Sequence, residues 1–239
     1  MRNGDATGAD AIAGHVREAL DRISRAAMRA GRRPDAVQLI AVTKMVSADR
    51  IQPAVDAGVR MLGESRLQEA LPKIETLRGR DLRWHFIGTL QRRKVKAVVG
   101  TLEMIHSVDS LDLAEEIDRR AGEAGLQQRV LLEVNVGREA TKAGFSPDAA
   151  ADAVAALEAM PNLAVRGLMA IPPPGADAEA SRPYFRAMRE LARLLAGRGL
   201  TRVRMDELSM GMSGDFEVAV EEGATMVRIG TAIFGARHG

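Results

Sequence analysis

The sequence contains no cysteine. That absence removes disulfide scaffolds, thiolate zinc sites, iron–sulfur clusters and cysteine nucleophiles together. It also fits the expectation of a cytoplasmic protein. Aromatic residues make up 3% of the chain, with one Trp and one Tyr. Rings on which nucleic-acid bases could stack are therefore scarce. No apolar run approaches the roughly 18 residues of a membrane span. The start, M-R-N-G-D-A-T-G-A-D, lacks an apolar signal core. Nor does one sign of charge dominate: 34 Lys plus Arg face 32 Asp plus Glu, a formal +2. Neither nucleic acid nor a membrane is expected as a partner.

What is present is an ordinary globular composition, 46% hydrophobic and 28% charged over 239 residues. One domain over 1–239 is expected, with residues 1–10 flexible. Short apolar runs alternate with amphipathic segments throughout. After an opening helix, strands are expected at 37–42, 60–62, 83–87, 104–108, 130–134, 165–169, 202–208 and 226–229. Strand–helix alternation argues for a parallel sheet with helices outside. Eight such units point to an α/β fold, a closed (β/α)8 TIM-type barrel with an extra N-terminal helix. An open doubly wound sheet is the alternative, weakened because G-x-G-x-x-G follows none of the strands.

The opening helix places Ile12, Val16, Ala19, Leu20, Ile23 and Ala27 on one stripe. Ser47 is expected to open the second helix. Ser65 and Gln68 read as a capping box for the third. Ser110 opens a helix with Leu113 and Ile117, and Ser146-Pro147 reads as an N-cap followed by proline in the first turn. Ser213 is expected to open the last full helix. The R-R-K run at 92–94 reads as a solvated helix face.

Chemistry in such a barrel sits at the C-terminal ends of the strands. Lys44 stands after strand one, Ser65 after strand two, and His85 within strand three. His106, Glu133 and Asn135 stand near the ends of strands four and five. The seventh loop offers Met210, Gly211 and Ser213; the eighth offers Gly230 and Thr231. Backbone amides, glycines and hydroxyls in those two loops make a candidate phosphate cradle. Strand eight neighbours strand one in a closed barrel, which brings Lys44 beside the cradle. A lysine there is either a plain cation or an imine-forming amine. Arg228 lies in an apolar strand, where an unpaired guanidinium is costly, so a partner or ligand is expected.

These residues sit in segments that resemble the pyridoxal phosphate homeostasis protein family, small barrels similar to the N-terminal domain of alanine racemase. The segments are A-V-T-K (41–44), G-E-S-R-L-Q-E (63–69), W-H-F-I-G-T-L-Q (84–91), I-H-S-V-D-S (105–110), V-N-V-G-R-E-A-T-K-A-G-F (134–145), G-L-M-A-I-P (167–172), L-S-M-G-M-S (208–213) and V-R-I-G-T-A-I-F-G (227–235). The resemblance implies pyridoxal 5′-phosphate (PLP) as cofactor, held as a Schiff base on Lys44. It implies that Ser213, Gly230 and Thr231 hold the phosphate and that Arg228 faces the pyridine nitrogen. The family usually reads G-E-N-Y where this chain has Gly63-Glu64-Ser65-Arg66, so a shorter hydroxyl replaces an Asn beside the cofactor. Arg93 likewise replaces a common Asn.

A racemase needs a second acid/base group opposite the lysine. In alanine racemases a C-terminal domain supplies it, and the ten residues after strand eight leave no space for one here. The expectation is a non-catalytic, monomeric PLP carrier or regulator of vitamin B6 balance, with PLP-dependent apo-enzymes as partners. A PLP-dependent amino-acid racemase of low activity is the alternative.

Overall fold

A computed structural model describes residues 4–236. Eight parallel strands close into a barrel in chain order: β1 (Gln38–Val42), β2 (Met61–Glu64), β3 (Arg83–Phe86), β4 (Met104–Val108), β5 (Gln128–Glu133), β6 (Leu163–Met169), β7 (Val203–Met212) and β8 (Met226–Ile229). The helices are α1 (Gly4–Arg29), α2 (Ala48–Asp56), α3 (Leu67–Thr76), α4 (Val95–Val98), α5 (Leu111–Glu123), α6 (Pro147–Glu158), α7 (Arg182–Ala196), α8 (Phe216–Glu221) and α9 (Thr231–Phe234). The fold is the TIM-type (β/α)8 barrel that the alternating pattern implied. Helix α1 already runs from Gly4, so residues 4–10 are helical; the remainder of the expected flexible start, residues 1–3, lies outside the described residues.

Pairing of β8 with β1 closes the barrel, with Ile40 opposite Arg228 and Ala41 opposite Ile229. The interior is filled by Ile40, Met61, Met104, Leu131, Met169 and Met226. Methionine dominates this layer, and its unbranched thioether fills an irregular space that branched side chains would leave gapped. A much larger apolar layer lies between the sheet and the helices.

Helix α1 buries Ile12, Val16, Ala19, Ile23 and Ala27, whereas Leu20 stays 37% exposed at the edge of the stripe. It lies over α2, α8 and α9. His15 Nδ1 lies 3.0 Å from the Ile233 carbonyl, and Arg22 donates to Glu217 at 2.7 Å. The extra helix thus covers the seam where β8 meets β1.

Several boundaries differ from the sequence reading. Strand β7 runs on to Met212, because Ser209 pairs with Met226 and Met212 with Arg228 across a register shift. Gly211 sits inside that shift at φ +91. Strand β2 includes Gly63 and Glu64. The Ser65 capping box does not form: Arg66 is the N-cap of α3 and no side chain caps it. Ser213 does not cap either, since Asp215 occupies that position before α8. Ser110 and Ser146 do cap, each accepting an amide N–H three residues on. Arg92–Lys94 forms one 3-10 turn before α4, with Arg92 and Arg93 exposed.

Candidate functional site

The C-terminal ends of the strands surround a cavity of ≈ 400 Å³. Strand β1 and its turn bring Val42 and Lys44 to the wall. Ser65 comes from the end of β2, Ile87 from β3 and Ile171 from β6. Met212, Ser213 and Gly214 arrive from β7, and Arg228, Gly230 and Thr231 from β8. Six of the residues singled out in the sequence therefore meet here: Lys44, Ser65, Ser213, Arg228, Gly230 and Thr231.

One end of the cavity is a donor set for an anion. Ser213 Oγ accepts from the backbone amides of Gly230 and Ala232, each at 3.3 Å. Two backbone amides and a hydroxyl thus cluster beside the cavity, a donor set of the kind that binds a phosphate. A Cβ at Gly230 would sit 3.3 Å from Val42 Cβ, a tight approach that a glycine avoids. A Cβ on Gly214 would meet nothing within 4 Å, so the space above the cradle is open. Lys44 is half-buried, and among the described residues no carboxylate pairs with it. The donor set, the open space and an unpaired primary amine suit a phosphorylated aldehyde such as PLP.

Arg228 is 4% exposed and is held by neutral acceptors alone. It donates to the Ser209 carbonyl at 2.7 Å, to Ser209 Oγ at 2.6 Å and to the Ala170 carbonyl at 2.9 Å. Burial brings its pKa down to about 10, with Glu133 and Asp215 opposing the fall. It remains a cation at neutral pH.

Three expected site residues are placed elsewhere. His85 stands in the barrel interior beneath the cavity, 1% exposed. Its Nδ1 lies 2.8 Å from His106 Nε2, and His106 Nδ1 lies 3.0 Å from Ser209 Oγ. A buried chain thus runs from His85 through His106 and Ser209 to Arg228. Burial, then the charges of Arg83 and Arg129, push the His85 pKa down to about 3; burial keeps His106 well below its ordinary value. Met210 packs into the layer between sheet and helices. Gly211 serves packing, because a Cβ there would lie 2.5 Å from Ala219 Cβ. Regular alternation would put Met210 and Met212 on one face; the register shift between Ser209 and Met212 breaks it, so Met210 packs under the helices while Met212 reaches the cavity.

Sequence reading weighed Met212 only as a gap-filling side chain and passed over Ile87 and Ile171, which line the wall with it, and Ser209, which ties Arg228 to the histidines. Only the strand-end rule could have found them, and it does not choose between neighbouring residues.

The alanine racemase N-terminal domain family model matches residues 17–238. A pyridoxal phosphate homeostasis protein from Aquifex aeolicus is 47% identical over 218 residues, covering 91% of this chain and 95% of that protein. The chain belongs to the pyridoxal phosphate homeostasis protein family. A solved structure, PipY of Synechococcus elongatus PCC7942 with PLP bound, is 40% identical with a TM-score of 0.78. The match covers 89% of this chain and 100% of that one. Alanine racemase of Clostridium difficile 630 is 16% identical at a TM-score of 0.71, covering 95% of this chain and 57% of that chain. This chain shares the barrel fold with that protein. Among the described residues no helix is long and apolar enough to cross a membrane, and no group of three or more His, Asp or Glu could hold a metal ion.

Proposed function

We propose that this chain binds PLP, linked covalently to Lys44, and serves PLP homeostasis without catalytic turnover. One observation carries the reading: an unpaired lysine and a converging set of amide and hydroxyl donors share one cavity. Relatives named for PLP homeostasis and the PLP-bound PipY structure support it. When bound, PLP supplies an aldehyde that captures an amine and a ring that withdraws electrons from it.

The chain's own residues favour holding over turnover. Lys44 supplies the amine. Ser213 with the Gly230 and Ala232 amides binds the phosphate, beside Thr231. Arg228 would serve as a donor toward the ring nitrogen; a guanidinium still protonated at neutral pH would give that nitrogen no proton. The electron sink is weaker than one built on a carboxylate. Ile87, Ile171 and Met212 bring no proton donor to the wall, and Tyr184 lies on α7 outside it. A two-base racemase lacks its second group on this wall. Within this reading PLP-dependent apo-enzymes receive the cofactor and the working unit is a monomer.

The test is borohydride reduction after incubation with PLP, followed by peptide mapping. A phosphopyridoxyl adduct is expected on Lys44 and is absent from Lys44→Ala. A parent protein without that adduct overturns the reading. Lys44-dependent turnover of D- or L-amino acids would instead establish the racemase alternative.

A further inference from the structure

Beside the cavity, but outside its wall, lies a buried ion pair. Glu64, at the end of β2, is 0% exposed, and Lys73 of α3 is 9% exposed. Lys73 Nζ donates to Glu64 Oε1 at 2.6 Å and to the Thr43 carbonyl at 2.7 Å. Thr43 Oγ1 donates to the same Glu64 oxygen at 2.6 Å. One turn before Lys73, Glu69 Oε2 accepts the Met45 amide at 2.9 Å. Thr43 and Met45 are the two neighbours of Lys44.

We propose that Glu64, Lys73 and Glu69 are positioning residues that fix the direction in which Lys44 leaves the barrel. This rests on the reading of Lys44 as the PLP-binding amine. Two features support it. Met45 is a non-glycine residue at φ +60, a conformation that persists only where surrounding bonds impose it. Here the Glu69 carboxylate imposes it from one side and the bonds to Thr43 from the other. The second feature is cost. Burying two charges loses hydration that their attraction scarcely repays, and an apolar pair of similar volume often serves stability as well. Glu64 Oε2 moreover lies buried with no hydrogen-bond partner. Attachment of α3 alone does not require such a pair. A defined set of bonds to Thr43 does, because apolar contacts have no direction.

The informative variant is Glu64→Gln/Lys73→Met, which removes both charges and leaves neither buried alone. Folding is checked by circular dichroism. The rate of covalent PLP capture at Lys44, read by borohydride trapping, is expected to fall about tenfold, as misplaced reacting groups do. Affinity for pyridoxine 5′-phosphate, which fits the same cradle but has no aldehyde, should stay within about twofold. Unchanged capture, or parallel loss of both ligands, overturns the positioning role. If that variant does not fold, Glu69→Ala removes the acceptor of the Met45 amide while keeping the buried pair and should slow capture about threefold; unchanged capture again counts against the role. A PLP-free arm separates this idea from the functional reading. Acetylation of Lys44, measured against exposed Lys96 in the same sample, should shift by about threefold or more in the variant. An unchanged ratio overturns positioning even where the parent protein captures no PLP.

Discussion

Arg228 is held by Ser209 and Ala170 through neutral oxygens only, so its charge is not cancelled at its own position. The histidines behind it are kept neutral by burial, and this has a pH signature. The folded pKa of His85 is about 3, against an ordinary 6.5. Below pH 6.5 the unfolded chain therefore binds a proton that the native His85 refuses. The contribution is full above pH 6.5 and is lost as pH falls from there toward 3. The slope approaches about 1.4 kcal/mol per pH unit. His85→Gln should lower stability at pH 7 by about 1–3 kcal/mol. It should also shrink the loss between pH 7 and pH 5 by about 2 kcal/mol. Urea unfolding of both proteins at the two pH values checks this; identical pH slopes would count against a buried neutral imidazole.

At the scale of the elements, serine has two fates. Ser110 caps α5 by accepting the Leu113 amide, and Ser146 caps α6 by accepting the Ala149 amide. Ser65 and Ser213 stand at similar spacings but face the cavity, and helices α3 and α8 start one or two residues later. The strands decide this. Where β2 and β7 extend further than expected, the hydroxyl is carried to the barrel mouth before the helix can begin. Ser110→Ala should cost about 1 kcal/mol of stability. Ser65→Ala should change stability by less than about 0.5 kcal/mol and weaken PLP binding by about 1 kcal/mol. Denaturation midpoints and absorbance titrations separate the two. A large stability loss at Ser65 would mean that it caps after all.

Across the whole molecule, closure depends on close backbone approach between β6 and β7. A Cβ on Gly167 would lie 1.8 Å from the Glu207 carbonyl oxygen, where the register between the strands shifts. No side-chain rotation relieves a clash with backbone. Gly167→Ala is expected to cost about 3 kcal/mol or more. Differential scanning calorimetry measures it, and a midpoint near that of the parent would show that the strands can slide apart. The same closure brings β8 beside β1, and with it the Gly230 cradle beside Lys44.

The order of strands and helices, the barrel class and the lysine at the first strand's mouth were legible in the sequence alone. Each is a local pattern: a period of two or 3.6, a strand end, a segment shared with a family. Six of the nine residues expected at the site line the cavity for the same reason, since they stand where strands end. The other three do not line it. Whether a residue near a strand end faces the cavity, the interior or the helices depends on strand length and on bulges. Those are set by pairing with neighbouring strands, so only the closed barrel turned Met210 outward and Met212 inward. The clamp around Lys44 is likewise tertiary. Glu64 and Lys73 stand 21 and 30 residues from Thr43 in the chain, and only packing of α3 against β1 and β2 brings them to it.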